Sequence, residues 1–452
     1  MSESKPLSST RIAAYTLPAF PLSALSLPLG VYIPPLYAEH TTLALGLVGT
    51  LLFTSRIIDV FTDPTFGLLA DRMRPRLGRR RFWMLIAIPI LSLATWKLFH
   101  PPSDAGAIYL IGWLSLVYLG YTMAFLSHLA WGAELSGLYD DRSRVLGWRE
   151  VTVTAGMLTV LILPTLVEST AGAEAALARA HIMALFIVIL LPICIGLTCI
   201  LVPDPLPPED AMDADRSLMA DLKAIAKNAH MPKLLSADLA TATGIGITSS
   251  LYVWISVHVL NLASATSLIL VGYFAAAVVS VPIWMFVALR AEKHTTYAIS
   301  MLYGVLTLSL YFLIPGQGLF WAVAISALYG CAYGAGFFLA RSIVADIADA
   351  DELETGQKRM GVFFSGLTLT SKIGFAFGLL LSYNILDLVG FDPNGTVTQS
   401  QADWLLRVFV TLPISLFCLA GVLIRRHTLT RAEHANIRQQ LDAKSETASP
   451  DL

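Results

Sequence analysis

Uncharged apolar runs long enough to cross a lipid bilayer recur from one end of this 452-residue chain to the other. A membrane-spanning helix needs about 20 apolar residues, because the hydrocarbon core is about 30 Å thick. Charged residues make up only 14% of the chain, against about 25% in soluble proteins. The sequence therefore predicts an all-α membrane protein of about twelve transmembrane helices. The predicted spans are 12–38, 43–70, 82–99, 107–137, 146–168, 180–202, 236–260, 265–289, 296–314, 318–345, 361–387 and 402–425.

A polar break divides the predicted spans into two sets of six. The break opens with a proline-rich acidic stretch, and its later apolar residues recur at helical spacing, which predicts a surface helix. Transporters built as two such repeats bind their solutes near mid-membrane, between the halves. We predict an N-terminal six-helix bundle at 1–202, a cytoplasmic linker at 203–235, a C-terminal six-helix bundle at 236–425 and a cytoplasmic tail at 426–452.

Basic residues are concentrated in alternate loops between the predicted spans. The opposite loops contain little basic charge, with Arg179 as the main exception. The positive-inside rule then places both termini in the cytoplasm, in a plasma membrane or, for a bacterial protein, the inner membrane. The first span is expected to act as the insertion signal without being cleaved. The basic residues are Arg72, Arg74, Arg76, Arg79, Arg80, Arg81, Arg142, Arg144, Lys223, Lys227, Lys233, Arg290, Lys293, Lys358, Arg359, Arg425, Arg426 and Arg431.

Charge, cysteine and histidine content argue against several other classes of protein. The formal net charge is −2, so nothing favours binding to nucleic acid. The four cysteines all lie in apolar runs, which indicates neither disulfides nor a cysteine metal site. The nine histidines show no metal-binding pair on a helix, so neither an enzyme nor a bound cofactor is expected.

Two aspartates lie inside the second predicted span, where a charge is costly unless it is paired or hydrated. Asp59 and Asp63 are four residues apart and share a helix face. Their mutual repulsion in a low dielectric calls for a cation, a shared proton or an arginine such as Arg56. Pro64 frees the carbonyl of Val60, which adds an oxygen suited to Na⁺. We predict a cation site at Asp59 and Asp63; the alternative is a structural salt bridge with Arg56.

One lysine lies in the middle of the eleventh predicted span. Lys372 must reach a carboxylate, a solute or water, because an unpaired ammonium is costly at that depth. We predict that it pairs across the central cavity with Asp59 or Asp63. The alternative is a purely structural tie between the two halves.

Span four contains two residues that each allow two interpretations. His128 is a candidate proton carrier near neutral pH, or a packed and hydrogen-bonded core residue. Trp131 is a candidate platform for a solute ring, or a core or lipid-facing residue. Glu134 lies closer to the cytoplasmic end, and we interpret it as structural.

The first predicted span is unusually rich in proline. Proline is tolerated in a spanning helix where the freed carbonyls find other partners, often beside a cavity. The pattern therefore predicts a bent first helix that lines a cavity. The prolines are Pro18, Pro21, Pro28, Pro34 and Pro35.

Several short motifs occur along the chain. The most specific is RIIDVFTDPTFG at 56–67, which is followed by Asp71-Arg72 and by Gly78-Arg79-Arg80. The others are Gly132-Ala133-Glu134-Leu135 with Asp141-Arg142, Ala345-Asp346-Ile347, Glu354 through Arg359, and Lys372. Together they resemble the glycoside–pentoside–hexuronide:cation symporter family of the major facilitator superfamily, the family of the sodium/melibiose permease. The resemblance covers most of the chain and both halves. It implies the major facilitator fold and transport by alternating access.

The resemblance also implies roles for individual residues. Asp59 and Asp63 match the family's cation-binding aspartates, and Thr122 matches a threonine that lends them a hydroxyl. Lys372 matches a lysine near both the cation and the solute, and Arg149 matches an arginine that contacts the sugar. The matches to a cytoplasmic gate, a charge network that rearranges during transport, are Asp71, Arg72, Arg79 and Arg80.

The chain departs from the family where the solute binds. The sodium/melibiose permease grips its galactoside with two aspartates, and those positions correspond here to Ser23 and Phe125. A polyhydroxy solute needs several hydrogen bonds in its pocket. The animal lysophospholipid–sodium symporters resemble this family and combine the cation aspartates with an apolar cavity, so an amphiphilic, steroid-like or aromatic solute is the alternative to a sugar.

Together these features predict a secondary active transporter. Na⁺ or H⁺ binds at Asp59 and Asp63 and drives symport of an organic solute, such as a sugar or glycoside, held near Trp131, His128 and Arg149. We expect the chain to act as a monomer in the bilayer, with a small-molecule solute and a monovalent cation as its partners. A carrier is favoured over a channel by the six-plus-six organisation.

Overall fold

The apolar runs of the sequence become helices in the computed structural model, which describes residues 7–73, 75–135, 139–166, 175–204, 225–357, 360–392, 395, 397–425 and 429–447. The helices, numbered in chain order, are α1 Ser9–Thr16, α2 Ala19–Val31, α3 Ile33–His40, α4 Leu45–Arg72, α5 Arg79–Phe99, α6 Ala107–Glu134, α7 Tyr139–Ile162, α8 Ala175–Leu201, α9 Met231–Trp254, α10 Thr266–Arg290, α11 Lys293–Ser309, α12 Leu319–Thr355, α13 Met360–Leu388, α14 Gln399–Arg425 and α15 Arg431–Thr447.

Within the described ranges, 11 helical segments are long and apolar enough to cross a membrane. They correspond to the predicted spans except the fifth. That span was predicted at 146–168, and the helix that forms there, α7, begins at Tyr139 and contains charged residues in its first half. The helical membrane fold predicted from the sequence is confirmed.

The outward surface of these helices is apolar. On α8, exposed side chains recur every three or four residues, at Ile189, Ile193, Leu197 and Ile200, whereas Ile187, Leu191 and Ile195 are fully buried. A surface helix of a soluble protein would have polar residues at its exposed positions. The arrangement therefore fits a helix that packs on one side and contacts lipid on the other.

The first predicted span is interrupted twice, as its prolines predicted. Helix α1 ends at Thr16, just before Pro18, and α2 gives way to α3 at Tyr32, before Pro34. Pro28 is tolerated inside α2. Because proline lacks a backbone N–H and clashes with the preceding turn, it breaks the helical ladder at these points.

Contacts divide the chain into two compact units. Unit 1 comprises 1–213, 249–271 and 380–404. In it, α2 packs on α7 and α8, and α5 packs on α6 and α8. The close approach of α2 and α7 requires Gly156, since a side chain there would overlap the carbonyl oxygen of Phe20.

Unit 2 comprises 214–248, 272–379 and 405–452. Helix α11 packs on α12, and α12 also contacts the tail helix α15. The predicted tail contains α15, which hydrogen bonds hold against the rest of unit 2. His434 Nε2 lies 2.9 Å from Asp349 Oδ2, and Arg431 donates to the carbonyls of Ala288 and Leu289 at the end of α10. The predicted linker helix falls mostly on 205–224, which lie outside the described residues.

The N-terminus of α5 is capped from a distant point in the sequence. Asp204 Oδ2 accepts hydrogen bonds from the backbone N–H groups of Arg80 at 2.9 Å and Arg81 at 3.2 Å. Gly78 precedes the helix with a φ of 99°, and any side chain there would overlap the Asp204 carboxylate. A carboxylate suits this position because the first N–H groups of a helix have no partner within it.

Asp204→Ala is expected to lower the free energy of unfolding by about 1 kcal/mol, the usual effect of removing a helix cap. Thermal melting of the purified protein would measure the change. Asp104→Ala is the matched control, because Asp104 is an exposed acid in a loop of the same unit. Equal shifts in the two variants would contradict a capping role for Asp204.

Candidate functional site

One hydroxyl lies between the two aspartates of the second span. Helix α4 carries Asp59 and Asp63 on the face that packs against α6, and α6 carries Thr122. The Thr122 hydroxyl donates to Asp63 Oδ1 at 2.5 Å and is 3.3 Å from Asp59 Oδ1. Asp59 and Thr122 are almost completely buried, at 2% and 3% exposure. The i, i+4 spacing thus produces the convergence of oxygens that the sequence indicated.

Arg56 pairs with one of the two carboxylates. Its Nη1 lies 3.1 Å from Asp59 Oδ2, and its guanidinium carbon lies 4.0 Å from the centre of the Tyr118 ring. The salt bridge considered above as an alternative is therefore present. Asp59 contacts Arg56 through one oxygen and Thr122 through the other, so the ion pair and the predicted cation site share this residue.

The chemistry of this donor set suits a hard monovalent cation. Two carboxylates and a hydroxyl supply oxygens only, which is the preference of hard cations. Bringing a cation here would also offset the repulsion between the carboxylates. The side chain of Pro64, to which the sequence assigned a role in freeing a carbonyl, lies outside the described side chains.

A row of aromatic side chains on α6 leads from the aspartates to a buried arginine. Tyr121 stacks on Phe125 at a centroid distance of 5.5 Å, and the guanidinium carbon of Arg149 lies 5.2 Å from the Phe125 ring centre. Arg149 is only 4% exposed. Its Nη1 pairs with the largely exposed Glu150 at 2.6 Å, while its Nε has no partner among the described residues. This places a guanidinium beside an aromatic face on the helix that carries Thr122.

His128 and Trp131 lie elsewhere on α6, facing other helices. His128 Nε2 donates to the carbonyl of Tyr15 at 2.7 Å, the Tyr15 hydroxyl donates to the carbonyl of His128 at 2.9 Å, and the two rings stack. Trp131 is fully buried and its Nε1 donates to the carbonyl of Pro203 at 2.9 Å. The structure does not bring either residue to the aspartates; both tie α6 to neighbouring segments of unit 1.

Lys372 lies on α13 in unit 2 and is half-buried. The preceding residues Thr370 and Ser371 donate to Asp238 Oδ2 on α9, at 2.9 and 2.7 Å. Sequence reasoning missed Asp238, although an acid inside the seventh span was a signal of the same kind as Asp59. The pairing of Lys372 with Asp59 or Asp63 stays a prediction.

The predicted gate is described only in part. Arg80 is buried and Arg79 is half-buried at the start of α5, next to the Asp204 cap. The side chains of Asp71 and Arg72 lie outside the described side chains, so their charge network stays a prediction.

Comparison with known proteins identifies the family. The model of the MFS/sugar transport protein family matches residues 14–431. The chain belongs to this family of membrane transporters. Its members and fold neighbours are transporters, not enzymes. An uncharacterized symporter of Synechocystis sp. is 26% identical, with 89% of this chain and 90% of the relative covered. The putative glycoside/cation symporter YagG of Escherichia coli is 24% identical, with 90% and 88% covered.

The fold agrees with a solved transporter structure. The nucleoside transporter NupG superimposes with a TM-score of 0.66 at 15% identity, and the match covers 93% of this chain and 99% of NupG. The major facilitator fold implied by the sequence motifs is thereby confirmed for this multi-pass membrane protein.

Proposed function

We propose that this protein is a cation-coupled symporter that accumulates a sugar-like solute, with Na⁺ or H⁺ bound at Asp59, Asp63 and Thr122. The observation that carries the proposal is the Thr122 hydroxyl held between two carboxylates in a membrane-spanning bundle. Ionisable residues within membrane helices are functional in most cases, because a purely structural role rarely offsets their cost. The relatives reported above, named as symporters, support the same activity.

In this proposal the bound cation neutralises the two carboxylates, Asp59 and Asp63, and so lowers the cost of burying them side by side. Without it, Asp59 and Asp63 repel each other and hold Arg56 and, on this proposal, Lys372. With it, the carboxylates are neutralised and the carrier can occlude a loaded site at lower electrostatic cost. Both termini face the cytoplasm in this scheme. The membrane potential then adds about 2.3 kcal/mol per 100 mV for each inward positive charge.

The solute site lies, in our proposal, at Tyr121, Phe125 and Arg149. The half-buried rings of Tyr121 and Phe125 and the buried Nε of Arg149, which has no partner among the described residues, place an aromatic face and a hydrogen-bond donor side by side. Ser23 is buried and its hydroxyl already donates to the carbonyl of Phe20 at 2.9 Å. The donors that a polyhydroxy solute needs are therefore few here. This observation favours a second candidate, an amphiphilic or aromatic solute with a polar group for Arg149.

Uptake into proteoliposomes tests the proposal. Liposomes containing the purified protein would be given an inward Na⁺ gradient, an inward H⁺ gradient or neither, with radiolabelled glycosides offered alongside amphiphilic solutes. We expect accumulation of one solute class above equilibrium with one of the gradients, and exchange without net accumulation when no gradient is imposed. Solute flux that never exceeds equilibrium under any gradient would contradict symport and indicate facilitated diffusion.

A further inference from the structure

Two hydrogen bonds join the end of the first predicted span to residues far along the chain. Trp254 Nε1 donates to Glu39 Oε1 at 2.7 Å, and the Tyr32 hydroxyl lies 2.8 Å from Ser267 Oγ. All four residues belong to unit 1, which includes the end of α9 and the start of α10. The contacts therefore hold the segment 249–271 against α2 and α3.

Aromatic rings shield the bond between Trp254 and Glu39. Trp254 has no exposed surface; its ring stacks on that of Tyr383 at a centroid distance of 5.0 Å and packs at a tilt against Phe391 at 5.5 Å. A π-helical turn, Ile255–Val259, begins directly after it. Such turns occur frequently at functional sites, where the helix has to change shape. A hydrogen bond shielded from water is stronger, and its carboxylate is costly to leave unpaired.

Charges around Glu39 come from several elements. Arg179, the basic exception at this end of the bundle, is buried on α8 and attracts Glu39. His40 follows it on α3, Tyr383 faces it from α13, and His258 lies in the π-helical turn against Phe391. Burial raises the pKa of Glu39 above its ordinary value, opposed by the bond from Trp254 and by the charge of Arg179.

We infer that Glu39 is a gating residue whose hydrogen bond to Trp254 holds the external end of the carrier closed, and that this bond breaks in each transport cycle. The inference rests on the proposed transport function and on the orientation that the basic loops predict. Tyr32 and Ser267 form a second tie in the same gate. Neither contact belongs to the cation site or to the solute site proposed above.

The inferred gate should open more readily as the external pH rises. In the open state Glu39 is hydrated, and its pKa returns to its ordinary value. In the closed state its pKa is raised. The closed state therefore binds the proton more tightly, is most stable at low pH, and loses stability as the pH rises through the raised value.

Labelling of a buried reporter cysteine tests the gate. Ser256 is fully buried, and its hydroxyl has no partner among the described residues, so Ser256→Cys replaces it with little disturbance. The reporter would be placed in a background in which the four native cysteines are replaced by serine or alanine. The rate of reaction with a membrane-impermeant maleimide is then measured in right-side-out vesicles between pH 5 and pH 8, without added solute or Na⁺. At each pH it is divided by the rate for the same cysteine in the unfolded protein, because the thiolate is the reactive form and its fraction rises with pH.

Three variants separate the hydrogen bond from the charge. Glu39→Ala and Trp254→Phe each break the bond, and labelling should become about 10-fold faster in both, the low end of the effect of a hydrogen bond to a charged group. Glu39→Gln keeps an acceptor for Trp254 but removes the charge. Because the closed state buries this side chain and disfavours its charged form, the variant should stay closed more of the time, and its reporter cysteine should label more slowly than the parent's at pH 8. The labelling rate of the parent, corrected for thiol ionisation, should rise with pH, and this corrected response should vanish in Glu39→Gln.

Asp104→Asn is the matched control, because it removes one exposed carboxylate from a loop of unit 1. The inference is overturned if Glu39→Ala, Trp254→Phe and this control label alike. A corrected pH response that survives in Glu39→Gln would overturn the role of Glu39. Since labelling requires neither cation nor solute, a failure here is distinguishable from a failure of the proposed symport.

Discussion

Asp59→Asn is expected to abolish cation-driven accumulation of solute while leaving a folded protein. The substitution removes the negative charge from a residue that is 2% exposed and contacts both Arg56 and Thr122. Asparagine is nearly isosteric and can still accept from Thr122, so packing is retained. What is lost is the second carboxylate, and with it the electrostatic reason for a cation to bind.

Cation binding can be measured apart from transport, by thermal melting of the purified protein. A ligand that binds only the folded state stabilises it by about 2.7 kcal/mol at 100 times its Kd. We expect the wild type to melt at a higher temperature in NaCl than in choline chloride, or to show a pH-dependent shift if the coupling ion is H⁺. Asp59→Asn should show neither effect.

Asp104→Asn serves as the matched control, because this exposed acid is remote from α4 in the sequence and lies in a loop. It should keep the full response of the wild type to cations. If Asp59→Asn kept that response as well, Asp59 would be reduced to the structural partner of Arg56. The cation site would then have to be sought elsewhere.

Local patterns in the sequence predicted most of the fold. The apolar runs located the spans because a bilayer imposes a minimum length on each helix. The interruptions of the first span followed from its prolines, which act through their own backbone. The shared face of Asp59 and Asp63 was equally local, since residues four apart in a helix are neighbours. Both carboxylates lie within hydrogen-bond distance of the Thr122 hydroxyl, while cation binding there stays a prediction.

Contacts between residues far apart in the sequence could not be predicted in this way. The carboxylate of Asp204 caps a helix that begins more than a hundred residues earlier, and Glu39 meets Trp254 across an even longer stretch of chain. No rule of sequence spacing predicts that either of these pairs will be in contact. Trp131 was likewise ambiguous, because only the fold shows that its indole N–H is taken by the carbonyl of Pro203.

A close helix crossing in unit 2 depends on glycine in a way that only the structure reveals. Helices α9 and α13 approach so closely that a Cβ on Gly378 would overlap the carbonyl oxygen of Thr243 and lie 2.8 Å from the backbone nitrogen of Ile247. Gly246 on α9 meets the carbonyl of Phe375 in the same way. The neighbours are backbone atoms, which cannot rotate aside as a side chain can. The same crossing carries the bonds from Thr370 and Ser371 to Asp238, beside Lys372.

Gly378→Ala is therefore expected to destabilise the protein by about 3 kcal/mol or more, at the upper end of the range for overpacking. Gly196→Ala is the matched control: Gly196 lies inside α8, and a Cβ there would meet nothing within 4 Å. In an unobstructed helix, alanine stabilises by about 1 kcal/mol relative to glycine. Thermal melting should thus move in opposite directions for the two variants. A Gly378→Ala protein that melted no lower than the wild type would show that α9 and α13 can separate without cost, and that this crossing does not fix the position of Lys372.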